Sequence, residues 1–200
     1  MMRTVLLTIL LAATASLYSQ SGYKVGDVAA DFRLKNVDGK YYSLADIGNA
    51  KGYIVIFTCN HCPYSIAYED RIIALHEEYA PKGFPVVAIN PNDSTVQPQD
   101  SWSAMKVRSA EKSFPFLYLL DEKQEVFPVY GATRTPHVYL LQREGNINKV
   151  AYIGAIDDNH KDASAVTEHF LSDALNAIMD GRAPAPDYTR AIGCTIKVAQ

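Results

Sequence analysis

Apolar positions along the chain alternate between short continuous runs of strand length and longer stretches at helical spacing. Tyr53-Ile54-Val55-Ile56-Phe57-Thr58 is rich in β-branched and aromatic residues, as a strand buried on both faces requires. From about Cys62 to Ala80, residues Ile66, Ile72, Ile73, Leu75, Tyr79 and Ala80 form one stripe, which predicts a helix stopped by Pro81-Lys82-Gly83. Glu69, Asp70, Arg71, Glu77 and Glu78 fall mostly off the stripe and are expected in solvent, as is His76. Val86 to Asn90, between Pro85 and Pro91, predicts a second buried strand, and a polar loop then leads to a helix from about Gln99 to Lys112. Phe116 to Leu120 predicts a strand and Glu122 to Tyr130 a helix closed by Gly131. Val138 to Leu141 and Val150 to Gly154 predict an antiparallel hairpin, and Ala163 to Met179 a final helix. Ahead of all these, Leu34, the turn signal Asp38-Gly39 and Tyr41-Tyr42 predict an N-terminal β-hairpin extension. Strands alternating with helices define βαβ units, hence an α/β domain with a parallel core.

The first residues carry a different pattern. Arg3 precedes an apolar run from Val5 to Ala15, too short to span a bilayer, and Leu17-Tyr18-Ser19 suits cleavage before Gln20. The expected organisation is a signal peptide over 1–19, one domain over 20–181 and a tail over 182–200. The mature chain is then exported, periplasmic or secreted, with no transmembrane segment. A net charge of −3 without basic blocks gives no reason to expect a nucleic-acid partner. A chain of 200 residues buries a large core, so it needs no disulfide staple to fold, and an oxidising compartment makes disulfide exchange relevant chemistry.

That bears on Cys59-Asn60-His61-Cys62-Pro63, where the first strand gives way to the first helix. Two cysteines three apart at a helix start lie on one face, within bridging reach of each other. If the helix begins near Cys59, free N–H groups and the macrodipole favour a thiolate there, with a pKa of roughly 3.5 to 7.5. Pro63 fits the first helical turn, and a protonated His61 would stabilise the thiolate further. Cys59 is therefore the expected attacking cysteine and Cys62 the resolving one. A metal site would need further ligands, for which His61, His137 or Cys194 are the candidates. Cys194, in the tail, is expected as a free or buried thiol, with a part in resolving or gating the pair as the alternative.

A strand ending in C-x-x-C-P, a helix, a βα unit, then Thr135-Pro136 before a hairpin and last helix resembles the thioredoxin fold, a central mixed sheet flanked by helices. The opening GDVAADFRL and DGKYYSL resemble the redoxin branch, which contains the AhpC/TSA proteins and the exported TlpA and ResA reductases. FTCNHCPY, AINPND, YGATRTP and the tail GCTIK resemble thioredoxin-family proteins of that branch. The resemblance implies a cis Pro136 that sets Thr135 beside the cysteines, where its backbone can pair with a substrate peptide. It also implies that His61, just before the second cysteine, makes the disulfide form less stable than in thioredoxin. The chain departs from the relatives in three respects. Tyr53 stands where thioredoxins keep a buried carboxylate, so a general base must come from elsewhere. Ser65 stands where the ResA type keeps an acid, and Ile56 and Gly52 stand where peroxiredoxins want Thr or Ser and Pro.

The expected activity is thiol-disulfide exchange, which needs no cofactor but does need a protein or small-molecule disulfide or thiol substrate and a recycling redox partner. The alternatives are an AhpC/TSA-type thiol peroxidase, with Arg134 helping to bind peroxide, and a copper or zinc binding module.

Overall fold

The computed structural model describes residues 22–199 of the chain, and the leader expected over 1–19 lies outside them. In chain order the strands are β1 (Val28–Ala29), β2 (Leu34–Asn36), β3 (Tyr41–Tyr42), β4 (Gly52–Phe57), β5 (Val86–Asn90), β6 (Leu117–Leu120), β7 (Arg134–Thr135), β8 (His137–Glu144), β9 (Ile147–Gly154) and β10 (Cys194–Thr195). The helices are α1 (Pro63–Tyr79), α2 (Trp102–Lys112), α3 (Val126–Tyr130) and α4 (Phe170–Met179). Eight strands make one mixed sheet in the order β1-β9-β8-β4-β5-β6-β2-β3, with β4, β5 and β6 parallel and the other pairings antiparallel. Every residue of β4 is buried, which explains its unbroken apolar run. Ile54 and Ile56 face one core with Tyr68, Ile72 and Leu75 of α1 and Leu171 and Leu175 of α4. Tyr53, Val55 and Phe57 face the other, with Leu44 and Tyr130.

The expected α/β layout is present, with informative differences. The N-terminal hairpin is part of the main sheet rather than an appendage, because β2 pairs with β6 through Lys35↔Leu120. The helix α3 begins four residues later than its apolar pattern suggests. The Asp121 carboxylate accepts from the N–H groups of Glu125, Val126 and Phe127 and so caps the chain there. The final helix starts at Phe170, preceded by a separate short 3-10 turn, Ala163–Ala165. No helix among the described residues is long and apolar enough to cross a membrane.

α1 corrects the expected stripe. Ile66 is exposed, whereas Glu69, expected in solvent, is buried and bound through both carboxylate oxygens to Arg108 of α2, at 2.7 and 2.6 Å. Arg71 reaches Asp157, itself buried, at 2.6 Å, and Nδ1 of the half-buried His76 accepts from the Val86 N–H. These partners flank α1 sideways, from α2 and from residues 157–160, and a pattern that records only the sheet-facing direction does not see them. Glu69→Ala strands Arg108 against α1 and is expected to lower stability by about 2–3 kcal/mol in denaturant unfolding, reduced from the fully buried case because Arg108 is partly exposed. Ile66→Glu is expected to change it by less than about 0.5 kcal/mol.

Candidate functional site

β4 delivers the chain to Thr58 and Cys59 just past the C-terminal end of this central strand, and α1 starts at Pro63 rather than near Cys59. The residue before a proline is pushed out of the helical region, and Cys62, at φ −69° and ψ 123°, becomes the N-cap. Pro63 is at the first helical position as expected. The loop between is gripped from outside. Asp100, fully buried, accepts from the backbone N–H of Asn60 at 2.8 Å and of His61 at 3.3 Å. It also accepts from the Asn92 amide at 2.7 Å, and its Oδ2 lies 2.5 Å from His61 Nδ1. The Asn60 side chain bridges Gln99 O and the Tyr118 hydroxyl.

Thr135 approaches from the opposite side, and its peptide bond to Pro136 is cis, as the resemblance implied. Thr135 Oγ1 is 3.2 Å from Cys59 Sγ, and its carbonyl oxygen is 3.3 Å from Cys62 Sγ. Ser65 Oγ, buried in the first turn of α1, lies 3.8 Å from Cys59 Sγ.

The sulfurs are paired differently from expectation. Cys62 is bridged to Cys194, with a Cα–Cα separation of 6.0 Å, and Cys59 is free and buried. Cys194 arrives on β10, whose antiparallel register sets it opposite Thr135. It is neither a free thiol nor remote from the pair. The proton inventory differs too. Burial pushes the Cys59 thiol up and the Asp100 charge adds to that, against hydrogen bonds with Thr135, the Cys62 N–H and Ser65. The expected help from His61 is weak, because Nδ1 sits against Asp100 and 3.7 Å from the sulfur. In this bridged form Cys59 is not the low-pKa thiolate expected from a helix starting beside it.

Among the described residues, Cys59, His61 and Asp100 are the group whose ligand atoms converge, all within 4.8 Å of one another. The arrangement does not suit a metal: His61 Nδ1 and Asp100 Oδ2 at 2.5 Å form a hydrogen bond, closer than two ligands about 2 Å from one tetrahedral ion stand. His137 is not drawn into this cluster. Its Nδ1 faces the Thr133 N–H, and Arg134 spends its guanidinium on Gly193 O at 2.9 Å. Beside Cys59 is a cavity of about 10 Å³ lined by Thr58, Glu69, Ile72, Phe114, Phe116 and Tyr118, room for about one water molecule.

Asp100 is the site residue that sequence reasoning missed, and Ser65 was noted only as the position where the ResA type keeps an acid. Asp100 sits in a polar stretch before α2 that reads as ordinary loop, and no local signal ties it to a motif 39 residues earlier.

This fold and site define an α/β domain with a thiol centre where a central strand meets a helix. The chain belongs to the AhpC/TSA family, whose model matches residues 25–150. It is 24% identical over 159 residues to the thiol-disulfide oxidoreductase ResA of Geobacillus thermodenitrificans, covering 74% of this chain and 84% of that protein. An uncharacterized conserved protein from Geobacillus kaustophilus superposes with a TM-score of 0.81 at 36% identity, over 88% of this chain and 93% of that one. The thioredoxin domain of an oxidoreductase from Bacteroides vulgatus shares the fold, with a TM-score of 0.53 at 20% identity over 66% of this chain and 91% of that one.

His137 yields a pH prediction. Burial, then the nearby Arg134 charge, pushes its pKa down to about 4 in the folded state, against about 6.5 when unfolded. The unfolded chain therefore takes up the proton first as pH falls, so the His137 contribution is whole above about pH 6.5 and is lost progressively down to about pH 4. Urea unfolding from pH 7 to 4 should show this loss, and His137→Asn should flatten the slope.

Proposed function

We propose that this protein is a thiol-disulfide oxidoreductase in which Cys59 attacks and Cys62 resolves. The observation that carries the reading is a free Cys59 held beside Thr135 and the cis-proline turn in a chain of the AhpC/TSA family. The name of the ResA relative supports the same chemistry. With the tail bridge reduced, Cys59 thiolate attacks one sulfur of a substrate disulfide and expels the other as a thiolate. Cys62 then attacks the Cys59 sulfur, forming Cys59–Cys62 and releasing the second substrate thiolate. Thr135 O, 3.3 Å from Cys62 Sγ, is placed to accept a hydrogen bond from the Cys62 thiol while it is free, and the Cys62 proton passes to a released substrate thiolate. Thr135, Pro136, Ser65 and the Asp100–His61 pair position these sulfurs. The partners this chemistry requires are a disulfide or thiol substrate and a redox partner that recycles the pair, and the pattern over 1–19 supports an exported site of action.

The small cavity beside Cys59 and the engagement of Arg134 by the tail weigh against a dedicated hydroperoxide pocket. The reduced protein, offered a model aryl disulfide and, separately, hydrogen peroxide, is expected to turn over the disulfide and to meet peroxide no faster than a free thiol. Cys59→Ser should abolish disulfide turnover, and Cys62→Ser should accumulate a mixed disulfide on Cys59. Undiminished turnover by Cys59→Ser would refute the assignment.

A further inference from the structure

We propose that Cys194 is a third redox cysteine, which takes the disulfide over from Cys59 and is the sulfur through which reducing equivalents enter. The inference rests on the exchange reading above and assigns the tail its part in it.

The tail is seated by a built interface. Beyond the β7–β10 pairing, Arg134 Nη1 binds Gly193 O, Lys197 N–H donates to Asn92 Oδ1 at 2.8 Å, and Lys197 O accepts from the Asp93 N–H and the Gln124 amide. Ile196 is buried in the core behind β4. Gly193 lies so close to Thr135 O that a Cβ there would overlap it, so the approach that brings Cys194 to Cys62 depends on a residue without one. Asn92 belongs to the same network as Asp100, so the elements that hold the C-x-x-C loop also hold the tail.

Three sulfurs thus share one neighbour. Thr135 touches Cys59 through Oγ1, lies against Cys62 through its carbonyl and pairs with Cys194 through its backbone. Cys62 is the common partner, bridged to Cys194 and three residues from Cys59 in the same loop. Access separates the two ends, because Cys59 and Cys62 are buried while Cys194 is partly exposed. A thiol arriving from solvent meets Cys194 first.

The steps balance. After reduction of the substrate disulfide leaves Cys59–Cys62, the Cys194 thiolate attacks Cys62 Sγ. The Cys62–Cys194 bond forms, the Cys59–Cys62 bond breaks and Cys59 leaves as a thiolate, with no net change in oxidation state. An external dithiol then attacks Cys194 Sγ and expels Cys62 as a thiolate, which takes up a proton. The second thiol of that reductant releases Cys194 and carries away the disulfide. The bridge seen here, with Cys59 free, is the oxidised state between the two stages.

The test maps disulfides in the full chain. Protein reduced with dithiothreitol and desalted is treated with one equivalent of a model disulfide, quenched with N-ethylmaleimide, digested without reduction and analysed by mass spectrometry. The wild type is expected to yield Cys62–Cys194 with the label on Cys59. Cys194→Ser is expected to yield Cys59–Cys62, with the Cys59 label lost. The wild-type map needs no variant, so a folding defect in Cys194→Ser leaves the test intact. A wild-type product of Cys59–Cys62 with label on Cys194 would overturn the relay while leaving the exchange reading standing. So would a Cys62–Cys194 bridge that dithiothreitol leaves closed while Cys59 continues to exchange. Wild-type protein that never reacts with the disulfide would remove the exchange reading itself, and the relay with it.

Discussion

A buried carboxylate with four partners holds the reactive loop in place. Asp100 is removed from solvent, and a charge so placed is tolerated only when its oxygens are saturated with donors. It finds them in the N–H groups of Asn60 and His61, the His61 ring and the Asn92 amide. That need ties the segment before α2 to the turn between β4 and α1. It fixes where Cys59 stands and, through Asn92, where the tail ends. The absence of a carboxylate at Tyr53 is thereby given a physical context: the buried acid of this site enters from a different loop.

The second constraint is the turn at Thr135-Pro136, which faces all three cysteines. With the tail docked, Cys59 is enclosed and its thiol is held up by burial. Cys62, as N-cap of α1, stands nearer than Cys59 to the positive end of the helix, so negative charge developing on it as a leaving group is the better stabilised. Reactivity at this site therefore depends on which sulfurs are joined. The bridge closes a span of 132 residues and by chain entropy also restricts the unfolded state, by roughly 5 kcal/mol, so one bond serves both stability and chemistry.

Much of the fold was legible because it rests on local periodicity. The run in β4, the helix α1 and the alternation through β5, α2 and β6 each carry their own pattern, and the strand-to-helix boundary at Cys59 to Pro63 was readable from residue types alone. What was not legible arises between distant segments. The burial of Glu69 is decided by Arg108, the end of the Cys59 loop by Asp100, and the state of Cys62 by a cysteine in the tail. Composition flagged Cys194 as unpaired, yet nothing near it in sequence announces the strand pairing that delivers it. The cis turn was accessible only through resemblance, since an X-Pro bond is trans by default.

The central claim is that the disulfide at this site exists to be exchanged. Its reduction midpoint in glutathione buffers, read as the fraction of protein carrying the bond, tests this directly. The account predicts a value between about −120 and −270 mV, within the span of exchange-active proteins. A midpoint below about −300 mV, where structural disulfides lie, would contradict it.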